Sequence, residues 1–124
     1  MTLMARPVVL VADDEPLIRM DAVDTIQAAG FAAYEASSAQ EVMSMLDAHP
    51  EINILFSDIK MPGAGDASEI VDLVAQMWPK VEIILTSGLT KAEANVTTGS
   101  RFLAKPYTAK QLVAPIQSVT LVQE

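Results

Sequence analysis

The sequence predicts an α/β fold built on a parallel sheet. Short, solid apolar runs alternate with longer stretches of helical period along the whole chain of 124 residues. The central runs lack polar alternation, as strands covered by helices on both faces should. Hydrophobic residues make up 51% of the chain, enough to fill one core and too many for intrinsic disorder. One domain spanning residues 1–124 is therefore expected, with no room for a second, output domain.

Taken in order, Val8 to Ala12 is the first β-branched run, and Pro16 after Asp14 or Glu15 opens a helix. Its inward stripe is Ile18, Ala22, Ile26 and Ala29, and Gly30 ends it. Phe31 to Ala36 is a weaker, mixed strand that belongs near an edge. Ser38-Ala39-Gln40-Glu41 is a capping box for a helix with Val42, Met45 and Leu46 on one face. Ile52 to Phe56 is the next buried strand. Asp66 to Glu69 repeats the cap pattern before Ile70, Leu73, Val74 and Met77, and Trp78 before Pro79 closes that helix. Val81 to Leu85 is a further central strand, Leu89 to Thr98 a poor helix former, and Arg101 to Ala104 a second edge strand. Thr108 to Gln111 caps a last helix carrying Leu112, Ile116 and Val119, with Pro115 bending it from inside. Five successive β-α units imply right-handed crossovers and a parallel sheet.

Charge and composition remove whole classes of function. The net charge is -8, the isoelectric point is near 4.4, and the basic residues from Arg6 to Lys110 form no cluster, so direct nucleic-acid and anionic-membrane binding are not expected. Zero cysteines exclude disulfides, thiol chemistry and cysteine-ligated metals, and make a reducing cytoplasm the default compartment. The apolar run Val8 to Ala12 stops at Asp13, too short for a signal core or a membrane span. His49 is the sole histidine, which excludes a histidine-based metal site or a Ser-His-Asp triad; before Pro50 it reads as a helix-end residue.

In an open parallel sheet, ligands bind outside the carboxyl ends of the strands. The first run ends in Asp13-Asp14-Glu15, the third in Ser57-Asp58, the fourth in Thr86-Ser87 and the fifth in Lys105-Pro106. Strand pairing would gather these carboxylates, a hydroxyl and an ammonium on one rim. Clustered carboxylates repel and call for a cation, and a hard, oxygen-lined site suits Mg²⁺. With charge compensated, one carboxylate can attack a phosphoryl group, while Thr86 and Lys105 bind its oxygens. Each residue alone has a structural reading. Asp13 to Glu15 could complement a helix dipole, Asp58 could close an Asx turn, Thr86 could fill a strand, and Lys105 could be a solvated lysine. Only their coincidence at the strand ends carries the inference.

Four strings in order resemble the receiver domain of two-component response regulators: Val-Leu-Val-Ala-Asp-Asp-Glu-Pro-Leu-Ile-Arg at 9–19, Ser-Asp-Ile-Lys-Met-Pro-Gly at 57–63, Ile-Leu-Thr-Ser-Gly at 84–88 and Arg-Phe-Leu-Ala-Lys-Pro-Tyr at 101–107. The resemblance implies a CheY-like, flavodoxin-like (βα)5 doubly wound sheet with strand order 2-1-3-4-5. It places the phosphoacceptor at Asp58 and the Mg²⁺ ligands at Asp13, Asp14, Asp58 and the backbone carbonyl of Lys60, with Asp14 a direct ligand. The switch hydroxyl falls on Thr86, the phosphate-binding lysine on Lys105 before a cis proline, and the moving aromatic on Phe102, where tyrosine is commoner. The implied partners are a histidine kinase or His-phosphotransfer protein and an unidentified downstream protein. The implied state is a monomer or a phosphorylation-dependent dimer. Ala67 stands where the family commonly has a glycine, and the segment from Thr86 to Lys105 is short for the family.

Two other classes compete. A Mg²⁺-dependent phosphatase of the haloacid-dehalogenase type would place a second Asp two positions after the nucleophile, where Lys60 stands, and would need a cap. A flavin or nucleotide binder would need a Gly-rich loop where Asp13-Asp14-Glu15 stands. The reading is thus a phosphoacceptor module in a phosphorelay, not a turnover enzyme.

Overall fold

The computed structural model describes residues 3–5, 7–58, 67–87, 101–119 and 121–123. Its elements are β1 (Leu3–Ala5), β2 (Val8–Ala12), α1 (Pro16–Ala28), β3 (Ala32–Ala36), α2 (Ala39–Ala48), β4 (Ile54–Asp58), α3 (Ala67–Met77), β5 (Glu82–Ser87), β6 (Arg101–Ala104), α4 (Ala109–Ser118) and β7 (Leu121–Gln123). Five strands form one parallel sheet in the order β3-β2-β4-β5-β6. Numbered within that sheet alone, the order is the 2-1-3-4-5 that the resemblance implies. β3 and β6 hold the edges, as their mixed sequences require. The expected helix at Leu89 to Thr98 and the cap at Asp66 lie outside the described residues.

Alternation along the central strands sends side chains to two separate cores. Val9, Val11, Ile54, Phe56 and Ile84 pack against Ala22, Val23 and Ile26 of α1 and Leu112 and Ile116 of α4. Leu10, Ala12, Leu55, Ile83 and Leu85 pack against Val42 and Leu46 of α2 and Val71 and Val74 of α3. The sheet is thus wound on both faces. With every long apolar side chain of these strands covered, the polar chemistry of the chain is left to the strand ends.

The strand boundaries differ from the apolar runs for a definite reason. Ile52 is buried, but its N–H donates to His49 O at 3.0 Å and closes the turn after α2. Asn53 then links the sheet by side chain as well as main chain. Its Oδ1 accepts from Val8 N–H at 2.8 Å, its N–H donates to Val8 O at 2.9 Å, and its carbonyl accepts from Glu82 N–H at 2.8 Å. The ladder proper starts at Ile54 and runs on to Asp58, opposite Thr86. The polar strand end Ser57-Asp58 is therefore in-register sheet, whereas Ile52 and Asn53, which read as strand in the sequence, precede the ladder.

Other expectations need correction. Ser38 Oγ accepts from Glu41 N–H at 3.1 Å, but Glu41 Oε1 accepts from Ser37 N–H at 2.7 Å rather than from Ser38, so only half of that capping box forms. The box at Thr108 and Gln111 is complete. On α3 the inward residues are Val71 and Val74, which rotates Leu73 and Met77 outward to 41% and 55% exposure. Met77 is not a core residue. Gly30 adopts φ 94° just past α1, the left-handed geometry that suits glycine after a helix. His49 ends α2, as its sequence suggests, and stacks on Tyr34 at 4.3 Å. The antiparallel pairing of β1 with β7 was not foreseen, since three-residue strands carry no readable period.

The Asn53 bridge gives a direct test. Asn53→Ala leaves Val8 N–H without its acceptor beneath the sheet and should cost about 1–3 kcal/mol in urea unfolding, with Asn53→Asp retaining most of the stability. An unchanged midpoint in the alanine variant would contradict the assigned role.

Candidate functional site

The carboxyl ends of β2, β4, β5 and β6 meet at one rim. Asp13 continues β2 by one rung, its N–H donating to Ala36 O at 3.1 Å. Its Oδ1 accepts from Glu15 N–H at 2.9 Å, an Asx-type turn that leads the chain into α1 at Pro16. Asp13 is buried, at 4% exposure, so its carboxylate is fixed by the fold rather than solvated. Asp14, one residue on, is exposed at the bend. Asp58 ends β4 in register with Thr86 of β5, and Ser57 beside it is buried with its Oγ donating to Asp58 O at 3.0 Å.

Lys105 comes from the far side of the sheet. Its N–H donates to Ser87 O at 2.8 Å, extending the β5–β6 ladder past Ala104 and aiming the side chain across the rim. The ammonium lies 2.8 Å from Asp58 Oδ2 and 3.4 Å from Asp13 Oδ2. Burial pulls the Lys105 ammonium down, but the hydrogen bond it donates to Asp58 and the charges of Asp58 and Asp13 together outweigh it and hold its pKa above the ordinary value. The bond from Lys105 to Pro106 is cis, as the resemblance implies. Tyr107 follows, edge-on to Phe56 with ring centroids 5.6 Å apart, and burial pushes its phenol up.

Carboxylate oxygens of Asp13, Asp14 and Asp58 lie within 4.8 Å of one another, close enough to share one cation. The donor set is all oxygen, which fits a hard divalent ion such as Mg²⁺ and not a transition metal that favours nitrogen or sulfur. Thr86 is 1% exposed, and its Oγ1 has no hydrogen-bond partner among the described residues. A buried hydroxyl left without a partner costs stability, and here it is free to donate to an acceptor at the rim. Asp13, Asp14, Asp58, Thr86 and Lys105 are thus brought together as the strand ends suggested. Phe102 lies on β6 opposite Leu85, partly buried against the α2–α3 core. Lys60 lies outside the described residues.

Two contributors were missed from sequence. Arg19 donates from Nη1 to Asp13 O at 2.8 Å, and Tyr107 walls the site beside Lys105. An arginine on a first helical turn reads as a solvated residue, and nothing in its spacing marks a carbonyl as its partner.

A doubly wound sheet with an acidic, lysine-bridged site at its carboxyl rim defines a class of protein rather than a single activity. The family comparison narrows it: residues 9–117 match the response regulator receiver domain, and the chain belongs to that family. It is 32% identical over 115 residues to the transcriptional regulatory protein PdtaR of Mycobacterium tuberculosis, covering 88% of this chain and 54% of that protein. It is 27% identical over 121 residues to the sensor kinase CckA of Brucella abortus, covering 94% of this chain and only 13% of that protein. The crystal structure of the chemotaxis protein CheY4 of Vibrio cholerae superposes with a TM-score of 0.78 at 25% identity, covering 93% of this chain and 99% of that one. The chain therefore spans about half, or far less, of the length of these curated relatives. Phosphoryl acceptance in two-component signalling is the general function of the family. No helix among the described residues is long and apolar enough to cross a membrane.

The Lys105 bridge has a signed pH dependence. A folded pKa raised above the ordinary 10.5 means that the contribution is full below that value and is lost as pH climbs through the folded pKa. In EDTA, Lys105→Met should lower unfolding free energy by about 1–3 kcal/mol at neutral pH, because it strands two carboxylates. The gap between the variant and the wild type should stay flat through neutrality and close only in strong alkali. Urea unfolding across that range checks it, and a gap that closes below pH 9 would contradict it.

Proposed function

We propose that Asp58 is the phosphoacceptor, taking the phosphoryl group from a histidine kinase or a His-phosphotransfer protein. The observation that carries this reading is the arrangement at the strand ends: a strand-end carboxylate hydrogen-bonded to a fixed ammonium, beside an acidic pair and a buried hydroxyl without a partner. An Asp58 oxygen attacks the phosphorus of a phosphohistidine whose other ring nitrogen carries a proton, and the new P–O bond forms as the P–N bond breaks, the bond pair leaving with the ring as neutral imidazole. Lys105 pivots its ammonium from the Asp58 carboxylate to a phosphoryl oxygen, and Thr86 donates its hydroxyl to another. Mg²⁺, held by Asp13, Asp14, Asp58 and, as the resemblance implies, the Lys60 carbonyl, supplies charge neutralisation when bound. The group is transferred once per molecule onto the protein itself, so the domain is a signalling acceptor rather than a turnover enzyme.

The donor docks beside the site. Between α1 and the Lys105–Tyr107 turn lies an open cleft of about 610 Å³, lined by Leu17, Ile18, Asp21, Lys105, Pro106 and Tyr107. Leu17 lines it and is 81% exposed, an apolar anchor open to solvent. The output side is the β5–β6 edge, where Thr86 and the diagonal Phe102 couple the phosphoryl group to a downstream protein surface or to a phosphorylation-dependent dimer. We place the module in the cytoplasm, where such donors work.

An amide NMR spectrum with Mg²⁺ and then beryllofluoride, a phosphoryl mimic, tests the site and the switch together. Shifts should appear at Asp13, Asp14, Asp58, Thr86 and Lys105 and spread to Phe102. Asp58→Asn should abolish them, and Thr86→Ala should keep the shifts at the site while losing those at Phe102. A wild-type spectrum that does not respond to beryllofluoride would overturn the phosphoacceptor reading.

A further inference from the structure

We infer that Arg19 is a positioning residue for the cation site, holding the peptide between Asp13 and Asp14 so that the exposed Asp14 carboxylate faces Asp13 and Asp58. This inference rests on the Mg²⁺ reading of the acidic cluster. Arg19 lies on the first turn of α1, its N–H donating to Glu15 O at 2.9 Å. From there the side chain turns back over the β2–α1 bend. Nη1 donates to Asp13 O at 2.8 Å, and Nε donates to Glu35 Oε1 of β3 at 3.0 Å. The side chain is only 17% exposed, against 46% for Glu35, so the guanidinium is clamped rather than waving in solvent.

The geometry of the bend shows why this matters. Asp13 is held at three other points: its N–H by Ala36, its Oδ1 by Glu15 and its Oδ2 by Lys105. Asp14 is exposed, and its direction is inherited from the peptide plane before it. The carbonyl of that plane is the atom that Arg19 grips. Arg19 thereby anchors the more loosely held metal ligand to the β2–β3 edge through a main-chain bond. The forked guanidinium suits the task, since one donor can hold the carbonyl while another holds Glu35. Groups that orient metal ligands typically change affinity 10–100-fold when removed.

Mg²⁺ titrations followed by amide shifts, with urea unfolding of each protein in EDTA, separate positioning from plain stability. Arg19→Ala should weaken Mg²⁺ binding about tenfold or more, and Arg19→Lys, which keeps one donor, should recover part of it. Glu35→Gln keeps an acceptor for Nε and should leave Mg²⁺ affinity within about twofold. Glu35→Gln should move the urea midpoint only slightly, as the loss of a partly exposed ion pair does, and Arg19→Ala, which also frees the Asp13 carbonyl, should move it further while the protein stays folded in EDTA. Mg²⁺ affinity in Arg19→Ala within about twofold of wild type, or an equal loss in Glu35→Gln, would overturn the positioning role. A wild-type protein that does not bind Mg²⁺ would instead overturn the metal reading beneath it.

Discussion

The contact on which the site depends is the Lys105 ammonium set between Asp58 and Asp13. It joins residues 92 positions apart in sequence, and it exists only because the parallel sheet delivers the ends of β2, β4, β5 and β6 to one rim. Gathering carboxylates in a partly buried space is unfavourable unless positive charge joins them. Lys105 supplies that charge in the metal-free protein, and its hydrogen bond with Asp58 keeps the lysine ionised. The same ammonium is then within reach of any phosphoryl group that Asp58 receives. Folding and chemistry thus draw on one ion pair.

The rest of the architecture fixes the members of that pair to different degrees. Asp13, Ser57, Thr86 and Ser87 are buried polar residues lying on or directly against the ladder. Asp14 stands outside it, exposed to solvent. A buried floor beside one exposed carboxylate fits the proposed order of events, a cation first and then a phosphoryl group. The buried Thr86 hydroxyl, without a partner among the described residues, fits the proposed role, because a group already satisfied would have to break a bond before it could respond.

Much of this was legible in the sequence because strand ends are marked by composition. Asp13, Asp58, Thr86 and Lys105 each terminate an apolar or β-branched run, and the rule that ligands sit beyond the carboxyl ends of parallel strands does the remaining work. What was not legible depends on atoms rather than on patterns. Ile52 and Asn53 read as strand with Ile54, yet the Ile52 N–H closes a turn and Asn53 joins the sheet by its side chain as well as its main chain. Leu73 and Met77 share a helical stripe with Val74, but the face that α3 buries is centred on Val71 and Val74. The main-chain bond of Arg19 leaves no trace in residue spacing. The roles proposed for Asp58, Thr86 and Phe102 in transfer and switching rest on the resemblance, not on composition.

The most direct measurement is the intact mass of the protein after incubation with a small phosphoryl donor such as acetyl phosphate and Mg²⁺. The predicted result is the gain of one phosphoryl group that hydroxylamine removes, as it cleaves an acyl phosphate, and that Asp58→Asn does not acquire. A phosphoryl group that resists hydroxylamine, or that appears unchanged in Asp58→Asn, would contradict the account.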